Sequence, residues 1–110
     1  MAQEHLAPGE LTRIQPLGEA LAQTASQALF KAQQLEVMRL VLPTGKTMPK
    51  HAVPGEITVQ CIEGIVDFET DAGVQRMQPG DFLYLAGGQD HALTGVEDAS
   101  VLVTVCLLAD

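Results

Sequence analysis

The chain has 110 residues, 46% of them hydrophobic but only 4% aromatic, with no Trp, one Tyr and three Phe. That length suits one domain, and a domain of this size buries somewhat over ~60% of its unfolded surface. The formal charge of −8 comes from scattered Asp and Glu, a surface that repels phosphate backbones and anionic lipid, and few aromatic platforms are present for base stacking; nucleic acid and membrane are therefore not expected as partners.

In chain order, the first ten residues carry no basic flank followed by an apolar stretch, so no signal peptide is expected. Leu17, Ala20, Leu21 and Thr24 have loose helical spacing, with a packed loop as the alternative. Residues 1–34 are expected to pack as an N-terminal segment on a barrel built by residues 35–110. The barrel reading comes from turn signals spaced about ten residues apart: Pro43-Thr-Gly45, Pro54-Gly55, Gly64, Asp71-Ala-Gly73, Pro79-Gly80 and Gly87-Gly88.

Between those turns lie short β-prone runs. Leu35 to Leu42 places Met38, Leu40 and Leu42 on one face; Ile57, Val59 and Cys61 share one face of the next run. Gly64 is expected to turn the chain into residues 65–69, and Asp71-Ala-Gly73 into residues 74–77. Phe82 to Leu85 and His91 to Val96 follow. The last run, Val101 to Leu108, is apolar on both faces and therefore needs cover on both. The outer cover is either a second copy of the chain, giving a homodimer, or the N-terminal segment. Cys61 and Cys106 each stand alone in an apolar run, which reads as two buried thiols in a reducing cytosol, with a Cys61–Cys106 disulfide as the open alternative. A cytoplasmic protein is expected.

His51 and His91 carry the chemistry. Gly45, five residues and His51, then Gly64, make one frame; Gly80-Asp81, later Gly88, two residues and His91 make a second. These two frames resemble the paired motifs of the cupin superfamily over about Leu35 to Leu108. The resemblance implies an all-β double-stranded β-helix, or jelly-roll barrel, with both histidines facing one pocket. It also implies a metal held by four ligands, but here the second histidine position holds Val53, the carboxylate position holds Ile57, and the closing Asn is Gly95. Of the implied ligands His51 and His91 remain, with Glu56 one residue out of frame and so expected on the opposite face unless a bulge turns it inward. Gln60 and His5 are further substitutes to consider.

A divalent ion needs three or four N/O ligands with open positions. The expected cofactor is accordingly none, or a weakly held Zn, Ni, Fe or Mn. The expected pocket comprises His51, Val53, Ile57, His91, Met38 and Cys61, binding a small molecule without a full metal triad. One alternative is a metal-dependent dioxygenase, isomerase or decarboxylase of reduced ligation. Another is a metal-free epimerase-type catalyst pairing His51 or His91 with Asp90 or Glu56. Asp81 reads as a turn residue. Met38, Met48 and Met77 read as core filler.

Overall fold

A computed structural model describes residues 5–108; residues 1–4 and 109–110, at the ends of the two expected segments, lie outside the described residues. Among the described residues seven antiparallel strands form: β1 (Gln27–Lys31), β2 (Leu35–Leu42), β3 (Thr47–His51), β4 (Ile57–Thr70), β5 (Gly73–Met77), β6 (Phe82–Leu85) and β7 (His91–Cys106). The hydrogen-bonded order is β1-β2-β7-β4-β5, with β3 pairing β7 and β6 pairing β4.

Two long strands make this a jelly-roll barrel. Residues 57–63 of β4 pair with residues 100–105 of β7, beside β2 and β6; residues 65–69 of β4 pair with residues 92–97 of β7, beside β3 and β5. Each long strand thus belongs to two sheets and bends between them. Gly64, expected to turn the chain, is the bend. It has φ +75, and a Cβ there would lie 2.0 Å from the Asp98 carbonyl oxygen. The β4–β7 register slips around it, between Cys61 and Val66. Such bulges add residues to one strand and sharpen its twist. The inward face changes parity accordingly, from Ile57, Val59 and Cys61 to Val66 and Phe68, all buried.

Leu40, Leu42, Ile57, Val59, Val66, Phe68, Leu93 and Val101 belong to one buried cluster inside the barrel. Met77 joins that cluster, and Met38 and Met48 pack against it. The N-terminal segment does more than lie on the barrel: β1 extends the sheet beside β2, and a short 3-10 helix, Gly18–Gln23, buries Leu21.

That segment is fastened by an ion-pair cluster on the outer side of the sheet. The Glu63 carboxylate accepts from the Leu17 and Gly18 N–H groups at 2.9 and 3.1 Å, and from the Ser100 hydroxyl at 2.5 Å. Arg39 lies 3.2 Å from the same carboxylate and donates to Ser100 Oγ and to the Gln15 carbonyl. Part of the outer face of β7 is therefore covered by the chain's own N-terminal residues. Both cysteines are free, Cys61 buried and Cys106 half-buried, so the disulfide alternative falls away. No helix among the described residues is long and apolar enough to cross a membrane.

Candidate functional site

The barrel opens into one apolar pocket of about 420 Å3, counting its open mouth. β2 gives Met38 and Leu40, β3 gives Met48 and His51, β4 gives Ile57 and Val59, and β7 gives His91, Leu93, Val103 and Val105, with Val53 closing the loop between β3 and β4. Nine of the eleven lining residues are hydrocarbon or thioether; the two histidines are the exceptions.

How the histidines meet follows from β3. Met48 is the register partner of Leu93 and His51 the partner of His91, with a slip between Met48 and His51. Three positions apart on a regular strand, Met48 and His51 would point to opposite faces. The slip lets both line the pocket. Pro49 sits inside that slip; lacking an N–H, it fits an irregular edge and not a regular central ladder. Proline at this point was the available sequence signal for the re-aimed histidine.

The imidazole centroids lie 4.4 Å apart, tilted by 53°. His91 is buried and stacks on Phe68 with centroids 5.7 Å apart and rings 5° from parallel. His51 is exposed at the rim. Each ring is anchored the same way: His51 Nδ1 lies 3.0 Å from the Pro49 carbonyl oxygen, and His91 Nδ1 lies 3.1 Å from the Gln89 carbonyl oxygen. A carbonyl only accepts, so each Nδ1 carries the hydrogen and donates it. In the neutral ring Nε2 then holds a lone pair. The site offers two acceptors whose tautomers are fixed from behind.

Of the expected pocket residues, His51, Val53, Ile57, His91 and Met38 come together; Cys61 does not. It faces inward, as alternation from Ile57 requires, but farther along β4 near the Gly64 bend. There its thiol lies 3.5 Å from the Glu63 carbonyl oxygen. Burial, partly offset by that hydrogen bond, pushes the thiol above its ordinary range. Glu56 also stays out: it is exposed, and its carboxylate accepts the Tyr84 hydroxyl at 2.8 Å. No bulge turns it inward, because Ile57 begins a regular ladder with Leu85 and Val105. The bond to Glu56 in turn holds the Tyr84 phenol above its ordinary range. Gln60, paired with Phe82 and Leu102, alternates to the outer face, and His5 lies with Phe30 and Lys31 in a separate depression. The His–acid pairing of an epimerase-type catalyst is not formed among the described residues: Glu56 is taken up by Tyr84, and no hydrogen bond or ion pair joins either ring to Asp90.

The residues present do not make a metal cage. Among the described residues no three His, Cys, Asp or Glu side chains cluster in a way that would hold an ion. Two imidazoles against aliphatic walls fall short of the ligand number a divalent cation requires.

Sequence reading did not find the Arg39–Glu63–Ser100 cluster. Nothing in the spacing of those residues marks them, because three strands must first be aligned.

No family model and no curated protein matches this sequence. Solved structures do match. The chain is similar to a conserved protein of unknown function from Streptococcus pyogenes, at 22% identity and TM-score 0.76, covering 100% of both chains. It is also similar to an RmlC-like cupin from Shewanella frigidimarina, at 19% identity and TM-score 0.72, covering 98% of this chain and 95% of that one. A third likeness is to a DMSP lyase from Ruegeria pomeroyi, at 22% identity and TM-score 0.70, covering 84% of this chain and 52% of that one. At these identities the likeness is one of fold.

Proposed function

This chain has the cupin fold, and from that premise we propose that it binds a small, largely apolar molecule inside the barrel, held by His51 and His91 without a full metal triad. The observation that carries this reading is the make-up of the wall: a single pair of polar side chains set into hydrocarbon. Ligand sites of this kind are apolar concavities with a few placed polar groups that fix orientation. Val53 and Ile57 stand where the resemblance implies metal ligands, and both contribute apolar wall instead. A carrier, sensor or accessory role fits such a site.

The discriminating experiment is elemental analysis of tag-free protein purified without chelators, beside the His51→Ala/His91→Ala double variant. The expected result is substoichiometric metal in both samples, together with binders from a fragment collection whose resonance shifts map to the barrel wall. Stoichiometric metal in the parent that disappears in the double variant would replace this reading with a metal-dependent cupin enzyme of reduced ligation.

A further inference from the structure

Resting on the binding role proposed above, we infer that the pocket selects ligands by an uncharged nitrogen bearing two hydrogens, a primary carboxamide or a neutral primary amine, carried on a compact apolar body. The inference starts from hydrogen-bond direction. Both Nδ1 atoms are committed as donors to backbone carbonyls, which leaves Nε2 of each neutral ring as an acceptor. The polar pair of an otherwise apolar pocket therefore presents two acceptors and no donor.

A ligand that displaces water from these two acceptors must replace the hydrogens it removes, so one that supplies hydrogens is favoured over one that supplies lone pairs. Two acceptors also ask for two hydrogens. An NH2 group directs its hydrogens to acceptors about 5 Å apart through bonds of about 2.9 Å. The ring centroids stand 4.4 Å apart, a spacing of the order that one such group bridging the two rings would span. A hydroxyl has a single hydrogen and satisfies one.

Charge points the same way. No Lys or Arg lines the pocket. The adjoining groove at the mouth shares Met38, Val53 and Val105 with the pocket and adds Glu36. On a chain of net charge −8, a carboxylate entering past Glu36 meets repulsion with no cation inside to receive it. A divalent cation would accept both lone pairs, yet aliphatic walls neither neutralise nor solvate it.

The test uses one ring body with four head groups: aniline, whose amine is uncharged in this buffer, benzamide, N,N-dimethylbenzamide and benzoate. Dissociation constants are read by NMR titration in mildly alkaline buffer. The amine and the primary amide are expected to bind about tenfold or more tighter than the dimethylamide and the carboxylate, as two hydrogen bonds would give. In a His51→Phe/His91→Phe double variant that preference is expected to vanish while weak ring binding remains. If that double variant does not fold, His51→Phe alone, at the exposed rim position, is expected to shrink the preference. Binding of all four without preference, or with the carboxylate tightest, overturns the inference and leaves the binding role standing. No binding by any of the four overturns both.

Discussion

His91 lies flat against Phe68, with centroids 5.7 Å apart and planes 5° from parallel. One face of the imidazole is thereby fixed by hydrocarbon, while the Gln89 carbonyl fixes its rotation from behind. Phe68 does not line the pocket itself, so it acts on the site through the ring it supports. Phe68→Leu removes that flat support and leaves a small cavity, an expected loss of about 1.5 kcal/mol in stability. Urea denaturation measures the loss. The accompanying expectation is broadened His91 side-chain resonances with His51 unchanged, whereas a purely structural role would leave both rings alike.

The Glu63 cluster gives the fold its dependence on acid. Burial alone would raise the Glu63 pKa, but hydrogen bonds from Leu17, Ser100 and Gly18 and the nearby Arg39 outweigh it and hold the carboxyl below its ordinary value. A carboxylate whose pKa is depressed on folding contributes stability that is complete above the unfolded pKa and lost as pH falls through the folded one. Denaturation midpoints measured from neutral pH downward should therefore fall in the acidic range. Glu63→Gln should flatten that slope. At neutral pH it should also cost about 2 kcal/mol, because Arg39 is left buried without its counter-charge. An unchanged acid slope in the variant would assign the acid sensitivity to other carboxylates, of which Asp67 and Asp98 also titrate below their ordinary values, through bonds from Arg76 and Thr44 respectively.

These two clusters differ in how far the sequence disclosed them. The run Leu35 to Leu42 and the run Phe82 to Leu85 coincide with β2 and β6 because alternation and turn residues are local properties. The paired frames around His51 and His91 reported a fold, and the two rings do meet. What local pattern cannot report is a break in its own period. Gly64 looked like a turn because both a turn and a bulge call for positive φ. Only the facing strand reveals which one occurs, with Asp98 closing over it. For the same reason β1 was read as part of a packing segment: a five-residue edge strand has too few alternations to stand out. Cys61 was placed in the pocket by correct alternation, but the β4 wall of the pocket ends at Val59, two positions short of it. Arg39, Glu63 and Ser100 are brought together by register alone, 24 to 61 positions apart.

The two thiols should differ sharply in reactivity. Thiolate is the reacting form, and burial raises the Cys61 thiol while enclosing it in the core. Cys106 is half-buried on the last strand and lines the groove at the mouth. Brief treatment of the native protein with a maleimide should add a single label per chain, mapped to Cys106 by peptide mass spectrometry. Cys61 should label only when denaturant is present. Equal labelling of both in the native state would mean that β4 opens near Gly64 far more often than its packing allows.

Gly64 and Gly73 separate two costs that a positive φ usually combines. Both lie in the region that L side chains rarely adopt, at φ +75 and φ +125. Around Gly73, at the tight turn between β4 and β5, an added Cβ meets nothing within 4 Å. Gly73→Ala therefore carries conformational strain alone, an expected loss of about 1 kcal/mol. At Gly64 the added Cβ would stand 2.0 Å from the Asp98 carbonyl oxygen and 2.7 Å from the Ala99 Cα, both backbone atoms of the partner strand. Relief requires β4 and β7 to move apart where each crosses from one sheet to the other. Gly64→Ala is therefore expected to lose about 3 kcal/mol or more, with a weaker Glu63–Leu17 contact as a side effect, since Glu63 is its neighbour in the bend. Hydrogen exchange at the Leu17 and Gly18 amides reads that side effect directly: faster exchange there in Gly64→Ala, and not in Gly73→Ala, is the expected pattern. Equal losses in the two variants would mean that the bend in β4 tolerates a side chain, and that the crossing of the two sheets does not depend on the close approach of Gly64 to Asp98.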